Sequence, residues 1–156
     1  MSIAKKIAKF LQTEQVSYQH LEHPVAYTAS EIAGQQHVPG SQFVKSVIVK
    51  ADNNYVMCVL PAIHLVDFDK LKKLLKAKDV QIASEEELST LFPDYELGAE
   101  PPFGNLYGLP MFVDRYLEGN EEIIFNAGTH TDTIRMHFLD FKKLTNPTVC
   151  NLGSHI

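Results

Sequence analysis

The 156-residue chain is 45% hydrophobic, enough for one domain that buries about two thirds of its unfolded surface. Nineteen acidic against fourteen basic residues give a formal charge of −5, which argues against broad, sequence-independent binding to a nucleic-acid phosphate backbone, DNA included. No run of about 18 apolar residues is present for a membrane span, and the first residues alternate lysines with aliphatics instead of forming a signal peptide's apolar block. A single cytoplasmic domain over 1–156, with its core at about 16–145, is the expectation. Cys58 and Cys150 form neither a C-x-x-C pair nor a disulfide framework, so reduced, non-catalytic thiols are expected.

Ile3, Ile7, Phe10 and Leu11 recur at helical spacing over residues 3–12, with Ser2 placed to cap. A short extended piece runs through His20 and Leu21 to His23-Pro24, where proline disfavours helix for the residue before it. Thr28-Ala29-Ser30-Glu31 fits a capping box and opens a short helix ending before Pro39-Gly40. Phe43 to Ala51 is a β-branched strand, Asp52-Asn53-Asn54 a three-residue turn, and Tyr55 to Leu60 the return strand closed by Pro61. Asp67 caps a helix with Phe68, Leu71, Leu74 and Leu75 inward, and Val80-Gln81-Ile82 reads as a strand. Ser84 to Glu87 repeats the capping box and opens a helix stopped by Pro93.

Residues 97–110 hold three of the eight glycines and three of the eight prolines, a stiff shaped loop suited to a small polar ligand or a plain connection. Strands follow at Met111-Phe112-Val113, Ile123-Ile124-Phe125 and Thr133 to His137, the last two joined by a hydroxyl-rich hairpin loop at 126–131. Asp140 is placed to cap a last short helix, Phe141 to Leu144, and the tail from Thr145 reads as peripheral.

Lys45 is the residue that needs explaining. Strand alternation puts it on the face of Phe43, Val47, Val49 and Ala51, whereas Lys50 can carry its ammonium to water at the strand end. A lysine among apolar groups either snorkels outward or has a partner or a task such as holding a carbonyl or carboxylate. A run of lysines at 70, 72, 73, 76 and 78 reads either as the solvated side of a helix or as a local nucleic-acid patch. Seven histidines form no H-E-x-x-H, and neither a metal nor a cofactor is expected. The serine-hydrolase elbow, the P-loop and the dinucleotide glycine fingerprint are all absent from the sequence.

The ordered set His23 to Ala33, Val44 to Lys50, Val59-Leu60-Pro61-Ala62, Ala83 to Leu88, Gly98 to Gly104, Val113-Asp114 and Gly128-Thr129-His130 resembles the YbaK/ProX family of aminoacyl-tRNA deacylases. That family is related to the editing domain of bacterial prolyl-tRNA synthetases, and the match runs from about Glu22 to Leu144. The resemblance implies a single α/β domain with a curved, mixed and largely antiparallel sheet with flanking helices around a small pocket. It also implies hydrolysis of the ester between a wrong amino acid and its tRNA. Lys45 matches the family's essential lysine, and Gly98, Ala99 and Pro101 match the G-x-x-P loop whose backbone holds the aminoacyl group. Gly128 and His130, in a turn that varies more across the family, and Tyr27 and Thr28 complete the implied substrate-binding set.

An activated ester needs a placed water, a group to stabilise the carbonyl oxyanion and a pocket that rejects correct residues. Lys45 fits the second requirement, and with no carboxylate on its strand face a ribose hydroxyl of the substrate is a candidate for activating water. A small pocket favours small residues, alanine first, then cysteine or serine, on proline tRNA. Because the protein is acidic, either the lysine run meets the acceptor end of the tRNA or a synthetase or elongation factor delivers it. A non-catalytic module that binds an amino acid, a nucleotide or a protein stays open as the second reading.

Overall fold

The computed structural model describes residues 5–25, 34 and 39–155. Ser2, the capping box from Thr28 and the site candidates Tyr27 and Thr28 lie outside the described residues.

In chain order the elements are α1 (Lys5–Thr13), β1 (Tyr18–Glu22), β2 (Phe43–Ala51), β3 (Asn54–Pro61), β4 (His64–Val66), α2 (Phe68–Leu75) and β5 (Val80–Ile82). They continue with α3 (Glu85–Leu91), β6 (Met111–Asp114), β7 (Glu122–Asn126), β8 (Asp132–His137), α4 (Phe138–Thr145), β9 (Thr148–Cys150) and β10 (Gly153–His155). Short 3-10 turns cover Gly104–Tyr107 and Arg115–Gly119. One sheet runs β1-β8-β7-β2-β3-β6-β9, with β5 added beside β2, and β4 pairs with β10 in a separate ribbon. The pairs β1–β8, β7–β8, β2–β3 and β2–β5 are antiparallel, and β2–β7, β3–β6 and β6–β9 are parallel. This is the mixed α/β single domain that the resemblance implies.

Apolar clusters cover both sides of the sheet. Val44 and Ile48 of β2 join Ile7 and Leu11 of α1, Phe103, Phe125, and Phe138 and Phe141 of α4 on one side. Phe103 is at the centre of that cluster, edge-on to Phe10, Phe125 and Phe141 at centroid distances of 5.7, 5.5 and 5.5 Å. On the other side Val49, Val56, Cys58 and Leu60 meet Leu71 of α2, together with Cys150 and Leu152. Central strand β3 is therefore buried from Val56 to Pro61 without alternation, as expected of a strand covered on both faces.

Local chemistry sets the helix ends. Asp67 accepts from Lys70 N at the start of α2, and Ser84 and Glu87 form the reciprocal capping box of α3. Glu87 also accepts from the Tyr55 hydroxyl and lies 3.4 Å from Lys50 Nζ, so Lys50 ends in an ion pair. The amide of Ser84, the Tyr55 hydroxyl and Lys50 together hold the Glu87 carboxyl down at about 2. A carboxyl lowered on folding adds stability above its unfolded value, and that stability is lost as pH falls through the folded value. Glu87→Gln should therefore be less stable than wild type at pH 7 in urea unfolding, with the difference closing between about pH 5 and pH 2.

Several local expectations are corrected. The hairpin turn has two residues, Asp52 and Asn53, because Ala51 pairs with Asn54; Asp52 takes the left-handed φ of 54° that tight turns require and aspartate tolerates. Leu74 is 40% exposed, since only Leu71 among the α2 leucines points fully into the core. The last helix starts at Phe138 with His137 as N-cap and places Asp140 inside its first turn. The tail is not peripheral: β9 extends the sheet alongside β6, Leu152 is fully buried, and β10 closes the ribbon with β4. A buried pair, His64 Nδ1 to Asp114 Oδ2 at 2.6 Å, ties that ribbon to the end of β6.

Cys58 and Cys150 are both free and buried, and burial pushes the Cys58 thiol up to about 12, which suits packing rather than nucleophilic chemistry.

Candidate active site

Strand β2 has a different neighbour at each end on the side away from β3. Phe43 and Val44 pair with Ile124 and Phe125 of β7, while Val49 to Ala51 pair with β5. Lys45, Ser46 and Val47 lie between, where β7 and β5 part and the sheet opens. Lys45 is half-buried, faces Leu60 across the hairpin, and its pKa is lowered by desolvation. No carboxylate among the described residues lies within ion-pairing distance of its ammonium. Ser46 Oγ, on the opposite face, is buried with no hydrogen-bond partner among the described residues.

Strand β7 runs parallel to β2 and leaves the pairing at Phe125, so its continuation through Asn126 to Gly128 departs beside Lys45. Gly128 and His130 then lock onto the Gly/Pro loop. Glu96 N donates to Gly128 O at 2.8 Å, and Gly128 N donates to Ala99 O at 3.0 Å. His130 N donates to Glu96 Oε1 and His130 Nε2 to Leu97 O, both at 2.7 Å. Gly98 has φ +85°, a backbone setting that glycine accepts without strain, and His130 Cε1 would lie 3.6 Å from any added Cβ. Pro101 is buried and fixes the loop's exit.

The Gly98 and Ala99 amides of this loop are already committed. Gly98 N donates to Glu100 Oε2 at 2.9 Å, Ala99 N to Glu96 O at 3.0 Å, and Pro101 has no N–H. Gly98, Ala99, Gly128 and His130 therefore offer no spare amide for an oxyanion, and because the Leu97, Ala99 and Pro101 carbonyls already accept hydrogen bonds, the Gly98 and Glu100 carbonyls are the loop acceptors left to suit an α-ammonium. The polar donor poised at the sheet opening is Lys45.

Three groups here escape a reading of the sequence alone. Glu100 is 7% exposed and its pKa is raised by burial, opposed by the Gly98 amide and by His130; a carboxylate inside the Gly/Pro loop was its only signal. Asn126 Oδ1 is buried with no hydrogen-bond partner among the described residues. Asp132 is fully buried and accepts from His20 Nε2 at 2.6 Å, Thr129 Oγ1 at 2.5 Å and Thr131 Oγ1 at 3.1 Å. His20, Glu22 and Asp132 have ligand atoms within 4.8 Å of one another, so they are the described residues able to hold a cation, although the hydroxyl donors already engage Asp132. Two clefts of about 510 and 580 Å³, beside His137 and beside the Asp52-Asn53 turn, include none of the Lys45, Gly98 or Gly128 groups.

Comparison with known proteins places the chain in a family. The aminoacyl-tRNA editing domain family matches residues 23–144, and the chain belongs to that family. The proline–tRNA ligase of Bacillus licheniformis is 27% identical over 127 residues, 81% of this chain and 21% of the ligase, and that of Bacillus pumilus is 31% identical over 117 residues, 75% and 20%. The chain thus spans about a fifth of the length of these ligases. A solved structure described as a candidate trans-editing enzyme for prolyl tRNA synthetase superposes with a TM-score of 0.84 at 23% identity, covering 97% of this chain and 96% of the other. At that identity the likeness speaks for the fold.

Proposed function

We propose that this protein is an aminoacyl-tRNA deacylase acting in trans, which hydrolyses the ester of a small wrong amino acid, alanine first and cysteine or serine next, on proline tRNA. The observation that carries the reading is a desolvated ammonium, Lys45, at the sheet opening, together with a loop at Gly98 to Pro101 in which the Gly98 and Ala99 amides are committed. In this mechanism the loop carbonyls hold the substrate's α-ammonium and Lys45 donates to the ester carbonyl. As water adds to the carbonyl carbon, negative charge moves onto that oxygen, where a fixed cation in a partly desolvated site has its largest effect. Collapse of the adduct breaks the C–O bond and returns the ribose hydroxyl and the free amino acid.

With the amides of Gly98, Ala99, Gly128 and His130 committed, Lys45 is the group this reading assigns to the oxyanion. With no carboxylate near Lys45 among the described residues, a hydroxyl of the terminal ribose is the group to activate water. A 2′-deoxy terminal adenosine should then slow hydrolysis strongly, and full rate retention would exclude that role. The proposed setting is the cytoplasm, with the tRNA either met by the lysine run at 70–78 or delivered by a synthetase or elongation factor, and no helix among the described residues is long and apolar enough to cross a membrane.

The test is a panel of proline tRNAs charged with Ala, Ser, Cys and Pro. Turnover of one or more of the small residues with Pro-tRNA spared supports the reading, and cleavage of Pro-tRNA as fast as the rest removes the editing role. The second reading, a binding module that uses Lys45 as a carboxylate or phosphate anchor, predicts retention of the aminoacyl group without turnover.

A further inference from the structure

The lysines at 70, 72, 73, 76 and 78 are five of the chain's fourteen basic residues within nine positions of an acidic protein, and all five side chains are exposed. They belong to α2 and the turn after it. Leu71 of that helix belongs to the apolar cluster that includes Val49 and Leu60, and Leu60 is the β3 residue opposite Lys45. Helix α2 thus lies on the side of the sheet that carries Lys45, and the strip ends at the hairpin turn, where Lys78 N donates to Asp52 Oδ1, seven strand residues or about 23 Å from Lys45, a span an acceptor stem can bridge.

The acidic residues interleaved with these lysines are partly spent on the fold. Asp67 caps α2 and accepts from Ser154 Oγ, and Asp52 accepts from the amides of Lys78 and Asp79. Asp69 and Asp79 remain exposed. Lys70 Nζ donates to Gly153 O at 3.2 Å, whereas Lys72, Lys73, Lys76 and Lys78 have no ion pair among the described residues. Lys72, Lys73 and Lys76 follow one another at helical i, i+1, i+4 spacing on the side away from Leu71, and Lys76 takes the left-handed cap at φ 54°.

We propose that Lys72, Lys73, Lys76 and Lys78 form the surface that receives the phosphate backbone of an RNA acceptor stem, aligning its 3′ end with Lys45. The choice of RNA rests on the deacylase reading. The charge pattern fits because a local cationic strip on an acidic protein grips a backbone without binding nucleic acid indiscriminately.

The experiment is fluorescence anisotropy of the full chain with a labelled, uncharged proline-tRNA acceptor-stem hairpin between 50 and 200 mM salt. Four phosphate contacts predict a log–log salt slope near −3 to −4, an affinity loss of roughly a hundredfold over that range. A variant with all four lysines changed to Gln should flatten the slope to near zero. A Lys142→Gln/Lys143→Gln control on α4, across the sheet, should keep the wild-type slope. A wild-type slope near zero, an unchanged slope in the four-lysine variant, or an equal loss in the control overturns the proposal. Hydrolysis is read separately on a small aminoacyl-adenosine ester, which the four-lysine variant should cleave like wild type. Lysine-dependent hairpin binding without turnover of the aminoacyl-adenosine ester keeps the surface and removes the deacylase reading.

Discussion

Lys45→Ala is expected to lower deacylation by about 10²- to 10³-fold, the usual loss when an oxyanion donor is removed, with little change in unfolding temperature. The separation follows from the site. The lysine pKa is lowered by desolvation, and no described carboxylate pairs with the ammonium, so folding gains little from its charge. With the folded-state value below the unfolded one, the cost of the buried charge is present at neutral pH and is relieved as pH rises through the folded value. Lys45→Met, which keeps the apolar stem, should be at least as stable as wild type at pH 7 and equally inactive. Wild-type activity should fall on the alkaline side below the ordinary lysine value as the ammonium loses its proton. Retained activity in Lys45→Met, checked by single-turnover hydrolysis beside a urea melt, would remove Lys45 from the chemistry.

The second large effect is expected at Asp132. Its carboxylate is buried, takes hydrogen bonds from His20, Thr129 and Thr131, and so fixes the turn whose His130 and Gly128 clamp the Gly98 loop. Asp132→Ala removes the buried acceptor shared by Thr129, Thr131 and His20 and leaves a polar cavity in its place, at a cost of about 3 kcal/mol. For a chain of this size that lowers the unfolding temperature by roughly 6–12 °C. Loosening the turn should also raise KM more than it lowers kcat, because in the proposed mechanism the loop binds the aminoacyl group while Lys45 acts on the ester. Asp132→Asn keeps the shape and one acceptor oxygen and should recover part of both losses; a melt and steady-state kinetics on the two variants check this.

What could be read in the sequence was local. The β2 strand, the Asp67 cap and the Ser84–Glu87 box depend on residues a few positions apart, and each forms where its pattern places it. Lys45 stood out because a single charge breaks an apolar strand face. The misses depend on long-range pairing: His20 meets Asp132 across 112 residues because β1 joins β8, and β9 and β10 find their partners only when the sheet is assembled. Nor can a sequence show that the Gly98 and Ala99 amides are consumed by Glu100 and Glu96, the observation from which the proposed mechanism gives the oxyanion to Lys45.

The most direct test of catalysis at this site compares wild-type hydrolysis of Ala-charged proline tRNA with the buffer rate, alongside binding of the same tRNA carrying a non-hydrolysable amide in place of the ester. The account predicts ester turnover well above the buffer rate together with binding of the amide. Tight binding of the amide with the ester cleaved no faster than in buffer would contradict it, leaving a binding module on the editing-domain fold.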